Sequence, residues 1–109
     1  MSNDPVILVS LLKVEPAKQE SLIALLKHNT DTVICALDGW RATRLIAGED
    51  GASVVIYSEW DTPAAVAAMR NDPRMTACFP DIAELASLES MLGSVVSSRS
   101  RKPELVGKS

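Results

Sequence analysis

The sequence predicts one α+β domain whose elements follow the order β-α-β-β-α-β. Two segments, residues 6–14 and 52–60, are dense in β-branched and apolar residues, which is typical of strands. Between them, residues 17–37 carry apolar side chains at the spacing of one helix face. A chain of 109 residues accommodates one hydrophobic core and no second domain.

The first half of the chain contains one strand and one long helix. Strand one covers residues 6–14. Pro16 lies where the first turn of a helix tolerates proline, and the helix is predicted over residues 17–37. Asp38-Gly39 ends it, because glycine readily adopts the left-handed conformation found after a helix C-terminus.

Two strands and a hairpin follow. Strand two covers residues 40–47 and strand three residues 52–60. Residues 48–51 between them include two glycines, and a short link of this composition predicts a β-hairpin.

The last part of the chain is predicted to contain a broken helical region and a final strand. Asp61 or Thr62 can cap a second helix over residues 63–69, which opens with proline. Residues 71–73, Asn-Asp-Pro, end that helix, and a short irregular helical region follows. Strand four is predicted over residues 90–98.

This order is that of a ferredoxin-like split β-α-β fold, with an antiparallel sheet and both helices on one face. A doubly wound parallel sheet would need more strand–helix alternations than this length supplies. We predict a domain over residues 1–98 and a polar, basic C-terminal tail over residues 99–109.

The strands are apolar on both faces, although a sheet with helices on one side needs only one apolar face. Strand one directs two sets of apolar side chains to opposite sides: Val6, Leu8 and Leu12, and Ile7, Val9 and Leu11. Strand three repeats this pattern. We therefore expect a homodimer that packs sheet against sheet; the alternative is that loops or the tail cover the second face.

Composition and charge exclude several classes of function. The net charge is −3, and the tail carries +3 of its own, so the body is acidic and unsuited to nucleic acid as the main partner. No apolar run is long enough to cross a bilayer, and residues 1–5 do not resemble a secretory signal. We expect a cytoplasmic protein that binds neither nucleic acid nor membrane.

Few residues are candidates for chemistry. The sequence lacks a phosphate-binding loop and a nucleophile motif, and two isolated cysteines with one histidine are a poor metal site. The substrate-pocket candidates are Trp60, Tyr57, Arg44, Arg74 and His28. Trp60 and Tyr57 point to opposite faces of strand three. Each candidate also has an alternative interpretation. The two rings would pack in the core or at an interface, the two arginines would be surface residues, and the histidine would be solvated.

Four features together resemble the antibiotic biosynthesis monooxygenase (ABM) family. They are the apolar first strand, the motif LDGW at residues 37–40, the run VVIYSEW at residues 54–60 followed by a helix, and DPR at residues 72–74. The resemblance covers about residues 6–97.

The resemblance implies a dimeric α+β barrel with a substrate pocket in each subunit. It also implies oxidation of a quinol or anthrone by molecular oxygen with no metal or flavin, and a pocket lined by Trp60. The chain departs from the pattern at three positions: Ile56 replaces an asparagine, Val66 a tyrosine and Phe79 an arginine. The absence of histidine from residues 60–90 argues against haem.

The leading hypothesis is a cofactor-independent monooxygenase that uses molecular oxygen to oxidise a small aromatic substrate, either a quinol or anthrone or a polyketide-like compound. A non-catalytic dimeric domain that binds a small ligand is the first alternative. A small-molecule isomerase of the same superfamily, with His28 or Asp61 as its base, is the second.

Overall fold

A computed structural model describes residues 5–101 and contains one four-stranded antiparallel sheet. The strands are β1 (Val6–Val14), β2 (Trp40–Ala47), β3 (Ser53–Trp60) and β4 (Ala86–Gly93). Their order across the sheet is β2-β3-β1-β4, so β1 and β3 are central. The predicted split β-α-β fold is confirmed. Of the predicted tail, residues 102–109 lie outside the described residues.

The helices pack on one face of the sheet. They are α1 (Gln19–Thr32), α2 (Pro63–Asn71), α3 (Pro73–Thr76) and α4 (Phe79–Leu85). The predicted first helix over residues 17–37 is too long: α1 is flanked by two 3-10 turns, Pro16–Lys18 and Ile34–Ala36. The run Thr32-Val33-Ile34 explains its early end, because consecutive β-branched residues crowd a helical turn. Within residues 5–101, no helix is both long and apolar enough to cross a membrane.

The prediction of strand four over residues 90–98 was wrong in its bounds, since β4 begins at Ala86 and ends at Gly93. Its extent is set by its partner, because Ala86 pairs with Val14 and Gly93 pairs with Ile7. β1 begins at Val6, so a longer β4 would have almost no strand to pair with.

The core lies between the sheet and the helices and consists of two adjoining clusters. One surrounds Trp60 and contains Leu8, Val66, Met69 and Met75. The other surrounds Leu12 and contains Val14, Leu22, Leu26 and Val54. The strand residues in these clusters belong to β1 and β3 and all have even numbers, so the core takes one face of each of these two strands.

A tight junction fixes the position of α2 against the edge of the sheet. Gly39 has φ +86°, and its carbonyl oxygen accepts a hydrogen bond from the Asp61 N–H at 2.7 Å. A Cβ atom on Gly39 would lie 2.5 Å from the Cβ of Ala65 on α2. Thr62 caps α2 by accepting from the Ala65 N–H. The start of β2 and the start of α2 can therefore approach this closely only with glycine at residue 39.

Alanine variants of two glycines distinguish the stability cost of the left-handed conformation from the cost of the steric clash with Ala65. Gly51 also has a positive φ, of +72°, but a Cβ there would meet nothing within 4 Å. We expect Gly51→Ala to cost about 1–2 kcal/mol, the penalty of the left-handed conformation. Gly39→Ala should cost clearly more because it adds the clash with Ala65. Urea unfolding measures both, and equal losses would contradict the packing argument. Combining Gly39→Ala with Ala65→Gly should recover the steric part.

Candidate functional site

A cavity of about 430 Å³ lies between the inner face of the sheet and the helices. All four strands contribute to its floor, and α1 to α4 form its walls. The lining is mostly apolar; the residues with the longest apolar side chains are Leu8, Leu12, Leu26, Ile34, Leu45, Ile56, Trp60, Met69, Met75, Phe79, Ile82 and Leu88. Its size and apolar walls suit a small organic molecule.

Hydroxyl groups interrupt the apolar floor. Ser10, Thr43, Ser58 and Ser90 all line the cavity. Thr43 pairs with Ser58 across β2 and β3, and Ser10 pairs with Ser90 across β1 and β4. The Oγ atoms of Ser10 and Ser90 lie 2.8 Å apart. These hydroxyls occupy inward positions of the pleat and were not among the predicted pocket residues. For the three serines, the signal in the sequence is a polar residue at a strand position whose i±2 neighbours are apolar.

Trp60 lies at the end of β3 and is 1% exposed. Its indole N–H donates to the Ser58 Oγ at 3.0 Å, and the Ser58 hydroxyl donates to the Leu8 carbonyl at 3.3 Å. The indole is therefore held by a chain of hydrogen bonds that ends on β1. Its ring lines the cavity as a rigid aromatic wall.

Asn29 provides an amide on the helical wall. It continues the buried stripe of Leu22 and Leu26 on α1 and is 3% exposed. Its Nδ2 donates to the Met75 sulfur at 3.6 Å, and its Oδ1 accepts from the Cys78 thiol at 3.2 Å. Asn29 was not among the predicted pocket residues, although its spacing of three residues from Leu26 places it on the buried face.

Arg70 is the one charged residue in the described lining of the cavity. It lies in the last turn of α2 and is exposed, so its guanidinium is at the rim. Carboxylates and imidazoles are absent from that lining. The cavity therefore favours a neutral or anionic ligand.

Tyr57 and Arg44 lie on the opposite face of the sheet from the cavity. They are paired across β3 and β2, and neither lines the cavity. Their positions on the pleat alternate with the inward residues Ser58, Thr43 and Leu45. They belong to the outer face, which no helix of the described chain covers.

His28 and Arg74 are surface residues outside the described lining of the cavity. His28 precedes Asn29 and is exposed. Arg74 donates to Asp72 with its Nε at 3.0 Å and its Nη2 at 2.9 Å. Of the five predicted pocket residues, the structure brings Trp60 alone into the cavity lining. The three departures from the family pattern lie nearby: Ile56 and Phe79 line the cavity, and Val66 packs in the Trp60 cluster.

Comparison of the sequence with known families and proteins identifies relatives. Residues 5–81 match the antibiotic biosynthesis monooxygenase family. Tetracenomycin-F1 monooxygenase from Streptomyces glaucescens is 33% identical over 78 residues, which is 72% of this chain and 70% of the relative.

Solved structures share the fold over most of their length. A monooxygenase from Streptomyces coelicolor in complex with nanaomycin D has a TM-score of 0.83 at 20% identity, covering 92% of this chain and 95% of that one. SnoaB, a cofactor-independent oxygenase from Streptomyces nogalater, has a TM-score of 0.70 at 22% identity, covering 92% and 98%. At these identities the likeness establishes the fold.

The hydrogen bonds from Arg74 lower the pKa of the Asp72 carboxyl. The side chain of Arg74 and its backbone N–H both donate to the Asp72 carboxylate and hold its pKa below the ordinary value of 3.8. The ionised Asp72 carboxylate caps α3. Its stabilising contribution is therefore present above the ordinary pKa of 3.8 and is lost as the pH falls through the lowered pKa. We expect Arg74→Ala to raise the pKa of Asp72 but not restore it fully, since the backbone donor remains. NMR titration of the carboxyl carbon measures this, and an unchanged pKa would refute it.

Proposed function

The chain belongs to the antibiotic biosynthesis monooxygenase family, and we propose that it oxidises a small aromatic quinol or anthrone with molecular oxygen and without a cofactor. The apolar cavity walled by Trp60 is the observation that carries this proposal. Two relatives support it by their names: one is a tetracenomycin-F1 monooxygenase and another is a cofactor-independent oxygenase. The similar structure that holds nanaomycin D supports a small-molecule ligand for this chain.

The chemistry relies on the substrate's own electrons. A deprotonated anthrone is electron-rich enough to reduce oxygen; a C–O bond forms at its reactive carbon, and the O–O bond then breaks. One oxygen atom becomes the new quinone carbonyl and the other leaves as water. Anthrone and O₂ thus yield anthraquinone and H₂O, and the substrate supplies the electrons.

The protein contributes a dry and electrostatically biased site. Apolar walls exclude water from the reactive carbanion. Arg70 at the rim lowers the pKa of a bound phenol or enol because an opposite charge favours the ionised form. With no carboxylate or imidazole in the described lining, the substrate proton is lost to solvent near Arg70. Trp60 supplies a flat surface on which an aromatic ring stacks.

The outer face of the sheet supports a homodimer as the working unit. It is apolar near its centre, where the outward residues include Val9, Leu11, Val55 and Tyr57, and Ile46 and Met91 beside them are 51% and 62% exposed. Residues 94–101 are exposed, and the exposed fractions of Ile46 and Met91 show that this part of the face is uncovered. A second copy packed sheet against sheet would bury this face, as a large apolar interface of an obligate dimer does.

Oxygen uptake with anthrone tests the activity, and two tryptophan variants test whether oxidation takes place in the cavity beside Trp60. The wild-type protein should consume one O₂ per anthraquinone formed. Trp60→Phe should lower turnover about tenfold, which corresponds to about 1.4 kcal/mol, because it alters the aromatic wall. Trp40→Phe is the comparison variant: Trp40 is outside the described lining and touches the cavity indirectly, through the Thr43 hydroxyl that accepts from its indole, so turnover should fall less. Thermal melts verify that both variants are folded.

The results have distinct meanings. An equal loss of turnover in Trp60→Phe and Trp40→Phe would indicate that Trp60 has a purely structural role. Uptake no faster than the spontaneous rate across a panel of anthrones and quinols would refute the proposed activity.

A charge on the outer face tests the dimer. We expect wild-type protein to scatter light as twice 11.7 kDa and Val9→Lys to dissociate, because the lysine would lie in the centre of the interface. Ala68→Lys adds the same charge at an exposed position of α2, on the helical side, and should remain dimeric. A wild-type monomer at micromolar concentration would refute the dimer.

A further inference from the structure

The hydrogen bonds of Asn29 are unusually poor for a buried amide. An asparagine side chain has two N–H donors and an oxygen that accepts twice. Within residues 5–101 its partners are two sulfur atoms, of Met75 and Cys78, and sulfur is a weak donor and acceptor. One amide N–H has no acceptor among the described residues, although the side chain is 97% buried on the basis of its 3% exposure.

Packing alone does not account for an amide at this position. Leu22 and Leu26 precede it on the same stripe, and a third leucine would have matched a cavity lining that is mostly apolar. A buried polar group without full partners is costly in a region of low dielectric. Asn29 lines the cavity, so a ligand there would supply the missing acceptor.

We propose that the Asn29 amide donates a hydrogen bond to a carbonyl or phenolate oxygen of the aromatic substrate. This inference rests on the proposed function for the nature of the ligand. Negative charge that develops on that oxygen during oxidation strengthens the bond. Asn29 would therefore assist turnover as well as binding.

The floor of the cavity offers a second donor and narrows the substrate class. Ser10 and Ser90 share one hydrogen bond, so the hydroxyl that accepts retains its own O–H for a ligand. Asn29 on the helical wall and the serine pair on the sheet lie on different walls. Since the described lining contains no carboxylate to compete for these donors, the two walls favour a substrate with oxygen atoms on more than one edge.

The test compares two ligands that differ by one oxygen. Anthrone has a carbonyl, and 9,10-dihydroanthracene has the same ring system without it. Calorimetry or fluorescence titration under anaerobic conditions gives both affinities with no dependence on turnover. Wild-type protein should bind anthrone more tightly. Asn29→Leu should weaken anthrone binding about 3- to 10-fold, the value of one hydrogen bond, and leave dihydroanthracene binding unchanged.

Two further variants keep the test independent of folding. Thr30→Val is the matched control: Thr30 also lines the cavity, but its hydroxyl donates to the Leu26 carbonyl at 2.9 Å, so the preference for anthrone should persist. Asn29→Ala removes the amide without filling the space and should abolish the preference as Asn29→Leu does. A purely structural Asn29 would instead lower the melting temperature and weaken both ligands equally.

The outcomes separate this inference from the proposed activity. Loss of the anthrone preference in both Asn29 variants supports the amide donor even if wild-type protein consumes no oxygen. A wild-type protein with no preference for anthrone, or an Asn29→Leu variant that retains it, overturns the inference whatever the oxidation assay shows.

Discussion

The pleat of β1 is the constraint on which the rest of the molecule depends. This strand is hydrogen-bonded to β3 on one side and β4 on the other, so its alternation passes in register to both neighbours. Leu8, Ser10 and Leu12 face the helices and line the cavity, and Val9 and Leu11 face outward. A shift of one residue in either pairing would place outward residues of the neighbour in the core.

The same alternation makes the polar groups of the cavity tolerable. Hydroxyls on the floor bond to one another, to a backbone carbonyl or to an indole N–H, so each of these hydroxyls has at least one partner within the sheet. Charge is confined to Arg70 at the rim of the described lining. An interior of this kind has a low dielectric, in which each remaining donor interacts strongly with a ligand.

The broken helices after β3 shape the cavity as much as the sheet does. Proline begins α2 and α3 and lies in the first turn of α4, so the chain changes direction at each start. As a result three short segments direct Met69, Met75 and Ile82 into the lining. One straight helix over the same residues would present a single stripe and fill the space.

Local patterns in the sequence determined the order of the elements, the left-handed Gly39 and the opposite faces of Trp60 and Tyr57, because pleat, helix period and glycine conformation depend on neighbouring residues. They did not reveal which face of the sheet the helices cover. Tertiary structure decided that. It also decided the extent of β4, which follows from pairing with β1, and the surroundings of Asn29, which contacts Met75 across 46 residues of sequence. No periodicity records such contacts, because they exist only once separate segments pack together.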